Sequence, residues 1–189
     1  MSQVSKNKQE IRSQYLSRRN RISSEQKKRW DILISDQLYR LSSYINANTV
    51  HMYVSIREQN EVDTREIIQH SLKNGKRVVV PRMSVNNTLE HFEIQSTAEL
   101  KPNSLGIDEP VTRKAVKIHD IDLIIIPMVA GDMNRNRLGY GKGYYDRFLK
   151  NTDAIKIGLL YNLQIYPECL PVESFDIPLD LLLTESQLI

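Results

Sequence analysis

The group of residues best suited to chemistry is a glycine-rich stretch near position 140. Residues 137–147 read RLGYGKGYYDR, with a glycine at every second position from 139 to 143. Glycine allows positive φ angles and lets a ligand approach bare backbone. The stretch precedes a helix candidate, and the first amide groups of a helix have no internal partner and attract anions. Because Arg137 and Lys142 add positive charge, the pattern favours a phosphate-binding loop.

Neither common phosphate motif is present in this stretch. The P-loop requires Ser or Thr after its lysine, where Gly143 stands, and the dinucleotide fingerprint spaces its glycines differently. A tight turn whose glycines serve packing is therefore an open alternative. Asp146 also has two interpretations. In a first helical turn it complements the helix dipole, which the residues alone favour, or it ligates Mg²⁺ beside phosphate oxygens.

Positive charge is concentrated in the N-terminal segment. Residues 1–40 carry ten basic and four acidic residues, a net of +6, whereas the remainder carries −3. At about 100° per residue, Lys8, Arg12 and Arg19 border a helical apolar stripe and should lie at the rim of the core. That stripe comprises Val4, Ile11, Tyr15 and Ile22. An anionic ligand between these cations is one interpretation, and a solvated basic face is the other.

The elements that must position these residues follow from hydrophobic periodicity. Two helices come first, and Ser23 followed by Gln26 three residues later is a capping signal for the second. The side chains expected to point inward from the second helix are Trp30, Leu33, Ile34, Leu38 and Leu41. The strand candidates are VHMYVS (50–55), RVVVP (77–81), LEHFEI (89–94), DLIIIPMV (122–129), KIGLLY (156–161) and LLLT (181–184).

Helices over 64–72, with Gly75 as its C′ residue, and over 144–150 alternate with these strands. We expect Pro81 to end its strand, LEHFEI to have one solvent-exposed face, and 97–117 to be mostly loop. The run at 122–129 is apolar throughout, which predicts a central strand buried on both faces. The pattern predicts an α/β fold with a largely parallel sheet, preceded by a helical pair.

Composition excludes several classes of protein. With 189 residues, 40% hydrophobic and 26% charged, the chain suits one globular domain rather than a disordered or fibrous protein. No apolar stretch is long enough to span a membrane, and the first residues lack the apolar segment of a secretory signal. The single cysteine, Cys169, excludes an intrachain disulfide. We therefore expect a cytoplasmic protein. His51, His70, His91 and His119 lack metal-ligand spacing, and the two in strands, His51 and His91, should be surface or hydrogen-bonded positions.

The motifs together resemble a known family. RLGYGKGYYDR after DLIIIP, with Lys8-x-x-x-Arg12 near the N-terminus, is similar to the pattern of 5-formyltetrahydrofolate cyclo-ligases, also called 5,10-methenyltetrahydrofolate synthetases. The resemblance covers nearly the whole chain. Weaker segments that contribute to it are Glu61-Val62-Asp63-Thr64, VVVPR (78–82), LGIDEP (105–110) and residues 176–184.

The resemblance implies one three-layer α/β/α domain over residues 1–189, with helices on both faces of the sheet. It implies ATP- and Mg²⁺-dependent conversion of 5-formyltetrahydrofolate to 5,10-methenyltetrahydrofolate, with release of ADP and phosphate. The formyl oxygen would be phosphorylated and N10 would close the ring. We further expect small-molecule substrates, neither nucleic-acid nor membrane partners, and a monomer, although the sequence itself leaves the oligomeric state open.

Site residues follow by position from the same resemblance. The residues implied to contact ATP are Lys8, Arg12, Arg137, Leu138, Gly139, Tyr140, Gly141, Lys142, Gly143, Tyr144 and Tyr145. Those implied to contact the folate are Val54, Glu61, Tyr140, Gly141, Lys142, Gly143 and Tyr144. Those implied to assist the chemistry are Lys8, Arg137, Lys142 and Tyr144. Asp146 and Asp176 would hold Mg²⁺, with Glu173 and Asp180 as neighbouring alternatives to Asp176.

Some residues have other interpretations or depart from the family pattern. Glu61 could instead supply negative charge to the helix near Thr64, and Val54 is also a core candidate. The positions that depart from the pattern are Gly131, Arg135, Asn162 and Leu105. Two other functions remain as alternatives: a nucleic-acid-binding protein that uses the basic helices, and a sugar-phosphate isomerase that needs no ATP. Dependence on nucleotide separates the isomerase from the ligase.

Overall fold

The computed structural model describes residues 3–84 and 87–189, so residues 1, 2, 85 and 86 of the predicted domain lie outside the described residues. The helices are α1 (Gln3–Asn20), α2 (Ser24–Arg40), α3 (Ser42–Asn46), α4 (Arg65–Lys73) and α5 (Tyr144–Leu149). The strands are β1 (Thr49–Met52), β2 (Arg77–Met83), β3 (Leu89–Ile94), β4 (Leu100–Pro102), β5 (Asp108–Pro110), β6 (Leu123–Pro127), β7 (Ala130–Asp132), β8 (Arg137–Leu138), β9 (Ile155–Leu159), β10 (Ile165–Tyr166) and β11 (Leu181–Leu183).

Six strands form the central sheet in the order β11-β9-β6-β1-β2-β3. Only β3 runs antiparallel to its neighbour β2, and the other pairs are parallel. The predicted central strand is β6, in which Leu123 to Ile126 are fully buried between β9 and β1. A fully apolar sequence is typical of a parallel strand covered on both faces. The predicted α/β class with a largely parallel sheet is therefore confirmed.

Helices pack on both faces of this sheet. On one face, Ile34 and Leu38 of α2 and Ile67 of α4 share a buried cluster with sheet residues such as Val50. On the other face, the buried cluster contains Phe148 of α5. Complete burial of one Ile, Leu or Phe side chain stabilises the fold by about 1.5–3 kcal/mol.

The N-terminal pair of helices forms as predicted. The backbone amide of Gln26 donates to the Ser23 side chain at 3.2 Å, which caps α2. Leu33 was expected to point inward but is 40% exposed, because at about 100° per residue it is turned away from the face that buries Ile34. On α1, Lys8 is 8% and Arg19 only 1% exposed. The interpretation of these two cations as part of a solvated face is therefore wrong.

Strand boundaries differ from prediction where local bonds override periodicity. β1 ends at Met52 because Tyr53 and Ser55 bond instead to Thr64, whose hydroxyl donates to the Tyr53 carbonyl at 2.6 Å. Pro81 does not end β2, which continues to Met83. Proline has no backbone amide proton to donate. This is tolerated because β1 pairs only with residues 77–79, so at Pro81 the strand β2 is paired with β3 and no longer with β1.

The edge strand β3 lacks the predicted solvent-exposed face. Its residues 91–94 are all buried, because the chain at 114–116 runs along it and bonds to its backbone. His91 lies in this covered strand, and its Nδ1 is 3.2 Å from Nε2 of His51. The two imidazoles are thus buried against each other, and burial lowers the pKa of both.

The segment 97–117 is mostly loop, as predicted, with a short ribbon of β4 and β5 added. No helix in residues 3–84 or 87–189 is long and apolar enough to cross a membrane. That the whole chain is a single domain stays a prediction.

Candidate active site

A cleft of about 690 Å³ opens at the carboxyl edge of the parallel strands. Tyr53 and Val54 directly follow β1, Met83 ends β2 and Pro127 ends β6, and all four line the cleft. Ligands of open α/β sheets bind at this edge. The predicted site residues that line the same cleft are Lys8, Arg12, Val54, Glu61, Arg137, Leu138, Gly139, Tyr140, Gly141, Lys142, Gly143, Tyr144, Tyr145, Asp146 and Asp176. The fold thus brings all of them together, although their roles are a separate question.

The glycine loop runs from the small sheet of β10, β7 and β8 into α5. Gly141 and Gly143 have φ angles of 92° and 69°, a region that side chains other than glycine rarely adopt. A Cβ atom built on Gly141 would lie 3.1 Å from Cζ of Arg12. The glycines therefore serve both a tight turn and the close approach of an arginine. Because α5 has only six residues, the loop and nearby cations contribute more charge than its dipole.

Each buried or half-buried cation of the cleft has an anionic or carbonyl partner. Arg12 Nε donates to the carbonyl of Gly139 at 2.8 Å, and burial lowers the pKa of its guanidinium. Lys8 Nζ donates to Glu173 at 2.8 Å and also to Asp176. Lys142 differs, since its side chain is exposed at the loop tip. These groups bring positive charge to one side of the cleft.

The carboxylates of the cleft are engaged by its cations. Arg137 Nη2 donates to Asp146 at 2.5 Å, while Asp176 also accepts from the Glu173 amide at 2.7 Å. Asp180 is turned away toward Lys156, whose amide donates to it at 2.7 Å. Within residues 3–84 and 87–189, no three acidic, histidine or cysteine side chains converge into a metal site. Mg²⁺ needs only one or two carboxylates when phosphate oxygens complete its shell, so this donor set fits that ion.

Glu61 contributes a buried carboxylate to the wall of the cleft. It is 4% exposed and accepts from the Tyr140 hydroxyl at 2.5 Å and from the Ile56 amide at 2.7 Å. Burial raises the pKa of its carboxyl group, and these two donors oppose that shift. The alternative role at the start of α4 is filled by Asp63, which accepts from the Arg65 amide at 2.9 Å. Val54 is both buried and cleft-lining, so it belongs to the core and to the site.

Several cleft features were not predicted from the sequence. Arg19 donates to the Tyr140 hydroxyl at 2.6 Å from behind the cleft wall. Glu109 and Asp108 also line the cleft, and the LGIDEP segment was their only sequence signal. The Tyr145 hydroxyl and Arg137 Nε are buried without a hydrogen-bond partner among the described residues. A bound ligand could supply those partners, since buried polar groups are rarely left unpaired.

Comparison with known proteins agrees with this architecture. A sequence model of the 5-formyltetrahydrofolate cyclo-ligase family matches residues 4–185. The chain is 30% identical to the 5-formyltetrahydrofolate cyclo-ligase of Mus musculus, over 96% of this chain and 95% of the mouse protein. It is 33% identical to the enzyme of the same name from Escherichia coli strain K12, over 90% and 96% of the two chains.

Solved structures give the same result. The 5,10-methenyltetrahydrofolate synthetase of Aquifex aeolicus superposes with a TM-score of 0.86 at 34% identity, covering 96% of this chain and 91% of that one. The synthetase of Mycoplasma pneumoniae superposes with a TM-score of 0.76 at 25% identity, covering 94% and 98%. These matches extend from the first helix, which supplies Lys8, to the segment that supplies Asp176. Since sequence and fold agree over nearly its full length, the chain belongs to the 5-formyltetrahydrofolate cyclo-ligase family.

Proposed function

We propose that this chain catalyses the ATP-dependent conversion of 5-formyltetrahydrofolate to 5,10-methenyltetrahydrofolate, with release of ADP and phosphate. One observation carries the proposal. A single cleft combines a cationic glycine loop with a buried carboxylate wall, in a chain that belongs to the cyclo-ligase family. The first feature suits a triphosphate, and the second suits the amino-pyrimidine ring of a pterin.

The nucleotide side of the cleft is formed by α1 and the glycine loop. Members of this family use ATP as a co-substrate. In the proposal, Lys8, Arg12 and Lys142 bind the phosphates together with the amides of residues 137–145. The close contact of Arg12 with Gly139 and Gly141 supports this assignment, because it holds a cation directly over the bare loop.

The folate side is formed by Val54, Glu61 and the loop tyrosines. A carboxylate accepts hydrogen bonds from the donor edge of an amino-pyrimidine, and Glu61 lines the cleft from a buried position. Tyr140 and Tyr144 lie on the loop that links this wall to the cations, so both substrates would meet there. Leu105, one of the positions that depart from the family pattern, lines the cleft and is 74% exposed.

The reaction divides into two transfers. The formyl oxygen takes the γ-phosphoryl group of ATP and ADP leaves. N10 then attacks the formyl carbon, phosphate departs with the original formyl oxygen, and N10 loses its proton. Phosphoryl transfer requires mainly positioning and charge neutralisation, so no covalent nucleophile is needed. In the proposal, Lys8, Arg137 and Lys142 neutralise charge on the transferred group, and Tyr144 orients the formyl group.

Asp146 and Asp176 are the residues that would hold Mg²⁺. When bound, the ion would neutralise and orient the phosphates of the nucleotide. Both carboxylates line the cleft beside the cations proposed to contact phosphate. Each is now paired with one of those cations, Asp146 with Arg137 and Asp176 with Lys8, so metal and nucleotide would enter together.

The chain is further proposed to act as a monomer on small molecules, without a nucleic-acid partner. Burial of Lys8 and Arg19, and the contact of Arg12 with the glycine loop, support the absence of a nucleic-acid partner. These cations face the cleft or the core, whereas a nucleic-acid surface needs exposed basic groups that contact phosphates. Gel filtration with light scattering tests the first statement. An RNA-binding assay at moderate salt tests the second.

The deciding experiment is an absorbance assay for the methenyl product with 5-formyltetrahydrofolate, in the presence and absence of MgATP. Product that requires MgATP supports the proposal. No product, or conversion of a sugar phosphate without ATP, contradicts it. Glu61→Gln should raise the Michaelis constant for folate more than that for ATP. The control Glu58→Gln changes an exposed glutamate near the same wall and should affect neither.

A further inference from the structure

Arg19 is a buried cation outside the cleft whose position needs an explanation. It is 1% exposed, near the end of α1, and does not line the cleft itself. Its Nη1 donates to the Met128 carbonyl at 3.2 Å and its Nη2 to the Tyr140 hydroxyl at 2.6 Å, while Nε has no partner among the described residues. Burying a guanidinium carries a large desolvation cost, so its retention implies a compensating interaction.

The hydrogen-bond directions connect Arg19 to Glu61. A guanidinium can only donate, so the Tyr140 oxygen accepts from Arg19. The single hydroxyl proton of Tyr140 is then donated to Glu61 Oε1 at 2.5 Å. The Ile56 amide holds the other oxygen, Oε2. The chain of bonds therefore runs in one direction, from the cation through the hydroxyl to the carboxylate, and it favours an ionised Glu61, which accepts both bonds without a proton of its own to place.

We infer that Arg19 is a positioning residue, which fixes the Tyr140 hydroxyl against Glu61 and keeps that buried carboxylate ionised and oriented toward the cleft. The inference rests on the proposed function for its consequence, since Glu61 is the proposed acceptor for the folate ring. Arg19 itself touches neither proposed substrate. It acts through Tyr140, which joins the glycine loop to the folate wall.

The other charged groups around Glu61 are less able to do this. The titratable groups that interact with it are Arg19 from α1, Lys27 from α2, Tyr53 after β1, and Tyr140 and Tyr145 from the loop and first turn of α5. Asp31 from α2 and Tyr161 after β9 act on Tyr53 beside it, and the Tyr161 hydroxyl donates to the Glu61 backbone carbonyl at 3.4 Å. Lys27 is already paired with Asp31 at 2.6 Å. Among the described residues, Arg19 is therefore the cation that acts on Glu61 without an ion pair to another carboxylate, and it opposes the upward pKa shift that burial gives Glu61.

The first test is the titration of Glu61 in the ligand-free protein. Carboxyl-¹³C glutamate reports it by NMR, and Glu61→Gln identifies the resonance. Arg19→Gln and Tyr140→Phe should each raise the midpoint by about one pH unit, as expected for loss of a nearby opposite charge or its hydrogen bond. Arg19→Lys keeps the charge and should stay closer to the native value. Arg21→Gln removes an exposed cation two residues away and should leave the midpoint unchanged.

The second test is kinetic. In Arg19→Gln the Michaelis constant for folate should rise about tenfold at pH 7, the size expected for a lost hydrogen bond to a charged group, and further as the pH falls. The Michaelis constant for ATP should change by less than about twofold on the same basis. A merely structural defect would raise both constants and would leave the pH dependence of folate binding unchanged.

The outcomes separate the two proposals. A folded Arg19→Gln protein whose Glu61 midpoint equals the native one overturns the inference. If that variant does not fold, Tyr140→Phe decides, and an unchanged midpoint there also overturns it. If the native protein makes no methenyl product but the midpoints shift as expected, the positioning role stands and the proposed function fails.

Discussion

Gly141 offers a direct test of the glycine loop, because a single methyl group changes it at a known place. Gly141→Ala puts a Cβ atom 3.1 Å from the Arg12 guanidinium carbon, so the guanidinium must move by a few tenths of an ångström. The backbone there has a φ angle of 92°, which alanine adopts only with strain. Gly75→Ala is the matched control. Its φ angle is 75° and a Cβ atom there meets nothing within 4 Å.

The two variants should lose similar stability but differ in nucleotide use. Strain at a positive φ angle costs about 1–2 kcal/mol in each, which lowers the melting temperature by about 2–8 °C for a chain of this size. Only Gly141→Ala also displaces a charged hydrogen-bond donor, and such a bond is worth about 1.5–3 kcal/mol. Partial loss of it should raise the Michaelis constant for ATP about three- to tenfold.

The assay is the methenyl absorbance assay at several ATP concentrations, beside thermal melts of both variants. The stability loss controls for general damage, since it is shared. An ATP dependence in Gly141→Ala that matches that of Gly75→Ala would refute the assignment of Arg12 and this loop to the phosphates.

Three further predictions concern the loop, the metal and the sheet. Lys142→Ala should raise the Michaelis constant for ATP, whereas Lys150→Ala, an exposed lysine beyond the loop, should not; equal responses argue against a phosphate contact. Asp146→Asn should lose Mg²⁺-dependent turnover while its circular dichroism stays native, and unchanged activity removes the metal assignment. Burial lowers the pKa of His91 from 6.5 to about 4. The free energy of unfolding is therefore unaffected by this group above pH 6.5, and it decreases as the pH falls from 6.5 toward 4. Urea titrations should show about 3 kcal/mol of this loss. His91→Gln should reduce this dependence to the part contributed by the buried His51, whereas His119→Gln, at an exposed position, should retain all of it.

Predictions from the sequence were most accurate where burial determines the pattern of apolar and polar residues. The apolar run that became β6 has no alternative to a central strand, and Lys8 and Arg12 were placed at the rim of the core by helical spacing alone. Tertiary contacts overrode local signals elsewhere. β3 lost its exposed face because a distant segment covers it, and Pro81 was tolerated because β1 had already ended. The small sheet of β7, β8 and β10 was missed because strands of two or three residues carry no periodicity.

The site was predictable in its residues but not in its connections. The glycine loop has a local signature, and the family resemblance supplied Glu61 and the two aspartates. The hydrogen bond from Arg19 to Tyr140 spans 121 positions of the sequence, and no local sequence pattern at either residue predicts it. Arg12 and Gly139 are likewise 127 positions apart. Spacing along a chain reports the face of an element, whereas partners across the fold follow from packing.

The bonds of Lys8 make α1 dependent on a distant segment of the chain. This lysine pairs with Glu173 and Asp176, which follow it by 165 and 168 positions. A nascent polypeptide therefore exposes Lys8 long before its two partners have been synthesised, and during that interval the lysine lacks the carboxylates that neutralise it. Fragments of the protein split between these positions should form the two ion pairs only after they reassociate.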